Sequence, residues 1–354
     1  MRSFTALTTH ELYMHRCLQL AALGAGKVAP NPLVGAVLVH NGNIIGEGYH
    51  QQYGAPHAEV NCINSVPADK RHLIKQSTLY VSLEPCNHFG KTPPCTNLIL
   101  EHGIREVVVA VADPFEKVNG SGINRLKAAA VNVTTGVLEK EASWQNRRFF
   151  TFNQKHRPYI ILKWAQSGNG KIAGANSEPV KISNEITDRL VHKWRSEEAT
   201  IMVGTNTAFI DDPSLTTRLW TGGNPVRIVV DATLKLPASL KLFDERARTV
   251  ILNTERSGQS GSNYYYKYNS KHTIQTATVN MMMEQNLHSV IVEGGAKLLQ
   301  TFIESGTWDE ARVINNRNFI IPEGIQAPQL ENAILLKREI IGSDEICYYK
   351  NNNI

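Results

Sequence analysis

The chain reads as two consecutive α/β domains, the first a layered α/β/α unit and the second built on a mostly parallel sheet. Three observations predict this. At 354 residues the chain exceeds the roughly 100–200 residues of an ordinary domain. Apolar runs of strand length alternate with helical periodicity in both halves. Between the halves, residues 145–158 are dense in Arg, Lys, Asn and Gln and end in Pro158, which puts the break near residue 150 and the domains at 1–150 and 151–354.

The elements follow in order. Thr8 with Glu11 three residues on has the form of a capping box, and Met14, Leu18, Ala21 and Ala22 then recur at helical spacing until Gly24 and Gly26 stop the helix. Residues 33–39 and 43–49 are strand-like and flank Asn41-Gly42, a hairpin turn whose two residues must take positive φ. A helix starts at His57 and runs to Ile63, a buried-type strand covers 78–83, and a helix over 96–101 stops at Gly103. A strand over 106–112, a short helix over 125–130 and a strand over 131–133 complete helices packed on a mixed sheet.

The pattern restarts with a strand over 159–165 and a helix over 185–195, with Ile186, Leu190 and Trp194 on one face. Strands at 200–203, 226–230, 249–252 and 289–292, and a helix over 296–305 closed by Gly306, indicate a mostly parallel sheet. Residues 257–270, rich in Gly, Ser, Asn, Tyr and Lys, read as an exposed loop.

An apolar fraction of 42% with 19% charged residues supports ordinary cores and argues against a disordered chain. The net charge of +5 suits an anionic ligand such as a phosphate ester or a dinucleotide, but no basic cluster is dense enough to indicate nucleic acid. No apolar run reaches the 18 or so residues of a membrane span, and residues 1–11 lack the apolar stretch of a secretory signal. Five unevenly spaced cysteines do not make a disulfide scaffold; free thiols in a cytoplasmic protein fit better, and such thiols can bind metal.

His57-Ala58-Glu59 opens a helix, Pro85-Cys86 follows a strand, and Cys95 lies beyond the loop 87–94. One imidazole and two thiolates are a soft donor set suited to zinc, and three protein ligands leave a fourth position for water, the catalytic pattern. Glu59, two residues past His57, can face that water without coordinating, as proton carrier. His-x-Glu with Pro-Cys matches the zinc deaminase signature, but eight residues rather than two separate the cysteines. His88, inside the long loop, is a rival ligand or a substrate contact.

These residues resemble the bifunctional riboflavin-biosynthesis deaminase–reductase family. The matching motifs are Asn31-Pro32-Leu33-Val34-Gly35, Gly48-Tyr49-His50, His57-Ala58-Glu59-Val60, Asp113-Pro114, and the whole run from Leu83-Glu84-Pro85-Cys86 through Asn87-His88-Phe89-Gly90-Lys91-Thr92-Pro93-Pro94 to Cys95. The long cysteine spacing is characteristic of that family. The resemblance implies a cytidine-deaminase-like domain with one zinc ion per chain, followed by a dihydrofolate-reductase-like domain that uses NADPH. The first would deaminate 2,5-diamino-6-ribosylamino-4(3H)-pyrimidinone 5′-phosphate; the second would reduce the ribosyl group to ribityl. A homo-oligomer is implied, with a small phosphorylated pyrimidine as partner and neither nucleic acid nor membrane.

By motif position, Asn31, His50 and Lys91 would touch the first substrate. In the second domain Glu293-Gly294-Gly295 ends a strand and opens a helix, where a backbone without side chains and unpaired N–H groups can approach a diphosphate. Gly294, Gly295, Ala296, Lys297, Leu298, Leu299, Gln300 and Thr301 would then cradle NADPH, with Ala165, Thr207 and Asp211 as further cofactor contacts. Arg195, Leu215, Arg218 and Glu293 fall at substrate positions, and two arginines converging on a phosphate would suit its geometry.

The chain also departs from the family pattern. Ser167-Gly168-Asn169-Gly170 stands where the family has Ser-Leu-Asp-Gly. Pro179 and Lys181 occupy substrate positions near which the family carries Ser and Trp; Lys181 could pair with a phosphate instead. A second reading is a nucleic-acid or nucleoside deaminase with an inactive reductase-like accessory domain. It needs a basic, aromatic-interleaved surface, for which Arg147-Arg148-Phe149-Phe150 is the one candidate.

Overall fold

The computed structural model describes residues 7–89, 93–115 and 119–353. The chain divides into two compact units, Met1–His156 and Arg157–Ile354. In the first unit the order is α1 (Thr9–Ala22), β1 (Gly35–His40), β2 (Asn43–Tyr49), α2 (Ala58–Asn64), β3 (Thr78–Val81), α3 (Cys95–Glu101), β4 (Glu106–Val109), α4 (Ser121–Ala128), β5 (Asn132–Thr135), α5 (Glu139–Gln145) and α6 (Arg147–Lys155).

Local chemistry starts this unit. Thr8 accepts a hydrogen bond from the Glu11 N–H at 3.3 Å, and Glu11 accepts one from the Thr8 N–H at 2.7 Å, so α1 begins with a reciprocal cap. Asn41 and Gly42 take φ of 48° and 78°, the left-handed pair that a tight hairpin needs. The sheet order is β2-β1-β3-β4-β5, with β1 antiparallel to β2 and β3, and β3, β4 and β5 parallel.

Alternation along the strands makes two cores. Leu38, Leu79, Val81, Val107 and Val109 face α2, α3 and α4, packing against Cys62, Ile99 and Leu126. Val37, Val39, Tyr80 and Val108 face the other way, onto Met14 and Cys17 of α1 and Ala142 of α5. The result is the three-layered α/β/α arrangement. Residues 145–158, expected as a break, are mostly helical: α6 buries Thr151 and Phe152 and ends at His156, whose φ is 50°.

The second unit comprises β6 (Tyr159–Ser167), β7 (Lys171–Gly174), α7 (Glu185–Glu197), β8 (Thr200–Val203), α8 (Thr205–Asp211), β9 (Val226–Val230), β10 (Thr249–Asn253), β11 (Gly258–Ser260), β12 (Asn263–Lys267), α9 (Ile274–Glu284), β13 (Ser289–Val292), α10 (Ala296–Glu304), β14 (Glu310–Asn316), β15 (Gly324–Gln326), β16 (Ala333–Ile341) and β17 (Asp344–Asn351). Ten strands form one sheet in the order β11-β12-β10-β9-β8-β13-β6-β14-β17-β16. The run from β12 to β14 is parallel; β11, β16 and β17 are antiparallel edges. Ile160, Leu162 and Trp164 of β6 pack toward Leu298 and Phe302 of α10, while Tyr159 and Ile161 face Val191 and Trp194 of α7.

Two expectations are corrected here. Residues 257–270 are not a plain loop, because β11 and β12 lie within them. Tyr264 and Tyr266 pack on one face of the sheet and Tyr265 on the other, so consecutive aromatics supply both faces of a strand beside β10. The buried face of α7 runs through Thr187, Val191 and Trp194; Ile186 is 64% exposed. The strands β14, β16 and β17 carry no sharp signal in the sequence and complete the sheet edge through ladders to β6 and to one another, while β15 pairs with β7 in a separate two-stranded sheet. Among the described residues no helix is long and apolar enough to cross a membrane.

Candidate active sites

The first site assembles where α2 and α3 begin. His57 is the N-cap residue of α2 and Cys95 the first residue of α3, while Cys86 sits in the irregular stretch after β3. The His57 Nδ1 lies 3.3 Å from the Cys95 Sγ and 3.5 Å from the Cys86 Sγ, and the ligand atoms of all three are within 4.8 Å of one another. Zinc bonds of about 2.1 Å to nitrogen and 2.3 Å to sulfur, at a tetrahedral angle, place such atoms about 3.6 Å apart. The observed spacing therefore fits a zinc ion. His88 is not in the cluster found among the described residues.

Glu59 follows in the first turn of α2, is 3% exposed, and lies against the Cys95 thiol. Burial raises its carboxyl above the usual range, partly opposed by His57.

Asn31 and His50 approach the same centre. The His50 ring stands edge-on to the His57 ring at 5.6 Å between centroids. Its Nδ1 faces the Pro56 carbonyl at 3.1 Å and so carries the proton, leaving Nε2 to accept from the Asn31 amide, also at 3.1 Å. Burial lowers the His50 pKa and favours the neutral ring. Lys91 lies outside the described residues.

The second site lies at the carboxyl ends of parallel strands, where open α/β sheets bind ligands. Glu293 follows β13 directly, and its carboxylate receives a two-pronged bond from Arg195 on α7, 3.0 Å from Nε and 2.6 Å from Nη2. Lys163 on β6 joins the same carboxylate at 3.5 Å. Burial pushes the Glu293 carboxyl up, but the Arg195 and Lys163 cations more than offset this and leave it at about 2. Arg195 is thus committed to Glu293 rather than free for a phosphate. Arg218 is exposed, and its backbone N–H donates to the His192 Nδ1 at 3.2 Å. Burial, then the charges of Arg195 and Arg218, lower His192 to about 4, so the ring is a neutral acceptor.

Gly294 and Gly295 abut Thr207 of α8. A Cβ on Gly294 would stand 2.9 Å from the Thr207 Cγ2, and Gly295 has φ of 67°. The starts of α8 and α10 are therefore brought together, with Ala296 part-buried and Lys297 exposed at the opening. Leu298 and Leu299 point into the core. Gln300 accepts from the Gln329 N–H at 3.0 Å, and the Thr301 carbonyl accepts from Gln275 at 2.5 Å. Ala165 is part-buried on β6, Asp211 is exposed at the end of α8, and Leu215 is buried with φ of 51°.

Pro179 is exposed, and Lys181 pairs with Asp188 at 3.5 Å. Asn169 accepts from the Ser167 hydroxyl at 2.7 Å and donates to the Ile321 carbonyl at 2.8 Å, a donation that an aspartate could not make when ionised. Sequence pattern alone assigns no role to Lys163 or His192, nor to Glu84 beyond its place in the matching run, although Glu84 is buried. A lone cation inside the apolar run of β6 was the available signal for Lys163.

Comparison with known proteins covers both units. Residues 7–111 match the cytidine and deoxycytidylate deaminase zinc-binding region, and residues 158–316 match the RibD C-terminal domain. The riboflavin biosynthesis protein RibD of Aquifex aeolicus is 36% identical over 96% of this chain and 97% of its own length. That of Escherichia coli K12 is 34% identical over 85% of each. The crystal structure of a diaminohydroxyphosphoribosylaminopyrimidine deaminase/5-amino-6-(5-phosphoribosylamino)uracil reductase from Thermotoga maritima superposes with a TM-score of 0.89, at 32% identity, covering 97% of this chain and 99% of that one.

Proposed function

The chain belongs to the RibD family of bifunctional riboflavin-biosynthesis deaminase–reductases, and on that premise we propose how its own residues divide the work. It is a two-activity enzyme with zinc and NADPH as cofactors. It deaminates 2,5-diamino-6-ribosylamino-4(3H)-pyrimidinone 5′-phosphate and reduces the ribosyl side chain to ribityl, giving 5-amino-6-(5-phosphoribitylamino)uracil. A nucleic-acid deaminase with an inert second half is not favoured, because the relatives match across both units. A cytoplasmic homo-oligomer is its working state in this reading, as the family resemblance implies.

The observation that carries the deaminase assignment is the convergence of His57, Cys86 and Cys95 beside the buried Glu59. A zinc ion held by these three supplies Lewis acidity that makes water nucleophilic near neutral pH. Glu59 takes the proton from the attacking water and delivers it to the departing amine. The Asn31 amide and the neutral His50, fixed to each other, read the edge of the pyrimidine. Lys91 is assigned to the substrate phosphate.

In the reductase half, bound NADPH would supply the hydride for reduction of the ribosyl group. Gly294 to Lys297 offer backbone N–H groups to the diphosphate, with Thr207 packed against them and Ala165 leaving room on β6. Asp211 lines the cofactor side, while Leu298 and Leu299, expected at the cofactor, instead anchor α10 in the core behind it, and Gln300 and Thr301 are tied to Gln329 and Gln275. Glu293, held by Arg195 and Lys163, turns its fixed carboxylate to substrate hydroxyls. Leu215, Pro179 and Lys181 border the substrate, and Arg218 takes its phosphate.

Metal analysis with paired assays on the full chain tests the assignment. Close to one zinc per chain is expected, with ammonia released first and NADPH consumed only on the deaminated product; NADPH loss without prior ammonia release would refute the sequence of steps. Arg218→Ala is expected to raise the reductase KM about 10–100-fold, the equivalent of a lost charged hydrogen bond worth about 1.5–3 kcal/mol, while ammonia release keeps its rate. A parallel fall in both activities would argue against separate sites.

A further inference from the structure

We propose that Glu84 is a positioning residue of the deaminase centre, clamping the segment that carries Cys86 onto α4 so that its thiolate stays at ligand distance from His57. The inference rests on the zinc-deaminase reading above.

Glu84 lies two residues before Cys86 and is 4% exposed. A carboxylate so buried needs its lone pairs satisfied. Its Oε2 accepts from the backbone N–H of Asp113 at 3.1 Å and of Gly120 at 3.0 Å. Its Oε1 accepts from the backbone N–H of Gly122 at 2.9 Å and of Ile123 at 3.2 Å. The last two belong to the first turn of α4, where N–H groups lack helical partners and the helix field favours an anion. Gly120, the N-cap residue, has no side chain to serve them. Glu84 fills that place from 36 residues away.

Two further contacts converge on the same grip. Asn87, immediately after Cys86, accepts from Arg125 of α4 at 2.8 Å and from Thr96 at 3.1 Å, and donates to the Ser121 carbonyl at 3.4 Å. Pro85 packs on Gly122 so closely that a Cβ there would stand 2.0 Å from the Pro85 carbonyl oxygen. Cys86 is therefore flanked on both sides by residues fastened to α4. Residues 84–89 form neither helix nor strand. Isolated backbone bonds, Glu84 N–H to the Val111 carbonyl at 3.0 Å and Thr96 N–H to the Cys86 carbonyl at 3.2 Å, tie the segment to the strand side and to α3, and the Glu84 carboxylate adds the tie to α4. Charge-assisted bonds from one carboxylate to four N–H groups supply the rigidity that a ligand needs.

The test uses the full chain. Zinc affinity is measured by competition with a chromophoric chelator, and the visible spectrum of the cobalt-substituted protein reports thiolate geometry. Reductase turnover on the same sample is the folding control. In Glu84→Gln an amide NH2 faces two of the four donors. The expected result is a zinc affinity lower by about 10–100-fold, an altered cobalt–thiolate absorption and unchanged reductase turnover. Glu84→Asp should recover part of the affinity. Wild-type affinity and spectrum in Glu84→Gln, even with a lower melting temperature, would reduce Glu84 to a helix cap and overturn the proposal. Should Glu84→Gln not fold, Glu84→Asp decides, because it keeps the charge and draws the carboxylate back by one methylene from the four N–H groups: weakened zinc with unchanged reductase turnover supports the clamp, and native affinity and spectrum refute it. A wild-type chain that binds zinc yet releases no ammonia would sink the functional reading, while the metal measurements would still judge Glu84.

Discussion

Glu59→Gln is expected to leave zinc bound and to stop ammonia release. The substitution keeps the size and shape of a side chain that is 3% exposed, so the start of α2 and the neighbouring His57 have no steric reason to move. It removes the one property the reaction needs, a carboxylate that can accept a proton and give it back. Proton transfer by a placed side chain contributes roughly 10²–10⁴-fold, and a loss of at least that size in kcat is predicted. NADPH consumption on the deaminated substrate should be unaffected, since that chemistry lies in the other compact unit. Zinc content near one per chain with no ammonia is the diagnostic pair. Retained turnover would remove Glu59 from the mechanism; lost zinc would make it part of the metal site instead.

The second large effect is expected at Glu293. Arg195 and Lys163 have side chains only 12% and 14% exposed, and both point at this carboxylate. Glu293→Ala leaves two cations facing each other in a space shielded from water. Breaking a buried pair by removing one partner costs about 3–5 kcal/mol, so the second unit should unfold at a clearly lower denaturant concentration and its reductase activity should vanish. Ammonia release should persist.

Acidity offers an independent check. The folded carboxyl titrates at about 2 against an ordinary 4.5, a depressed value. Its stabilisation is complete above about 4.5 and is lost as pH falls toward 2. Denaturation of the wild type between those values should show a slope that Glu293→Gln flattens. Identical slopes would mean that the carboxylate does not hold the pair.

The readable parts of the fold are those written in neighbouring residues. The cap of α1 is spelled by Thr8 and Glu11, and the hairpin by Asn41-Gly42, because both depend on backbone preferences over three or four positions. The zinc donors were readable because one histidine and two cysteines with a glutamate and a proline make a rare combination. The strand β12 was not: its tyrosines sit among Gly, Ser and Asn, and only packing against β10 from both faces makes that run a strand. The helical nature of α6 was masked by its polar composition, since only Thr151 and Phe152 of it are buried. Arg195 illustrates the same limit at a site. Its family position, together with Arg218, suggested a ligand for the substrate phosphate, whereas its partner Glu293 lies 98 residues further on.

By itself, then, the amino-acid order determined the strands and helices from α1 to β5, the elements β6, α7, β8, β9, β10, β13 and α10 of the second unit, the metal-binding residue types and the family to which both halves belong. Only the tertiary structure decided which charged groups neutralise each other, which amides Glu84 secures, and that the start of α3 sets Cys95 beside Cys86. The reason is physical. Local conformational preference acts between residues a few positions apart, whereas a buried charge finds its partner by whichever groups the packed sheets and helices bring within about 3 Å, and chain separation carries no record of that distance.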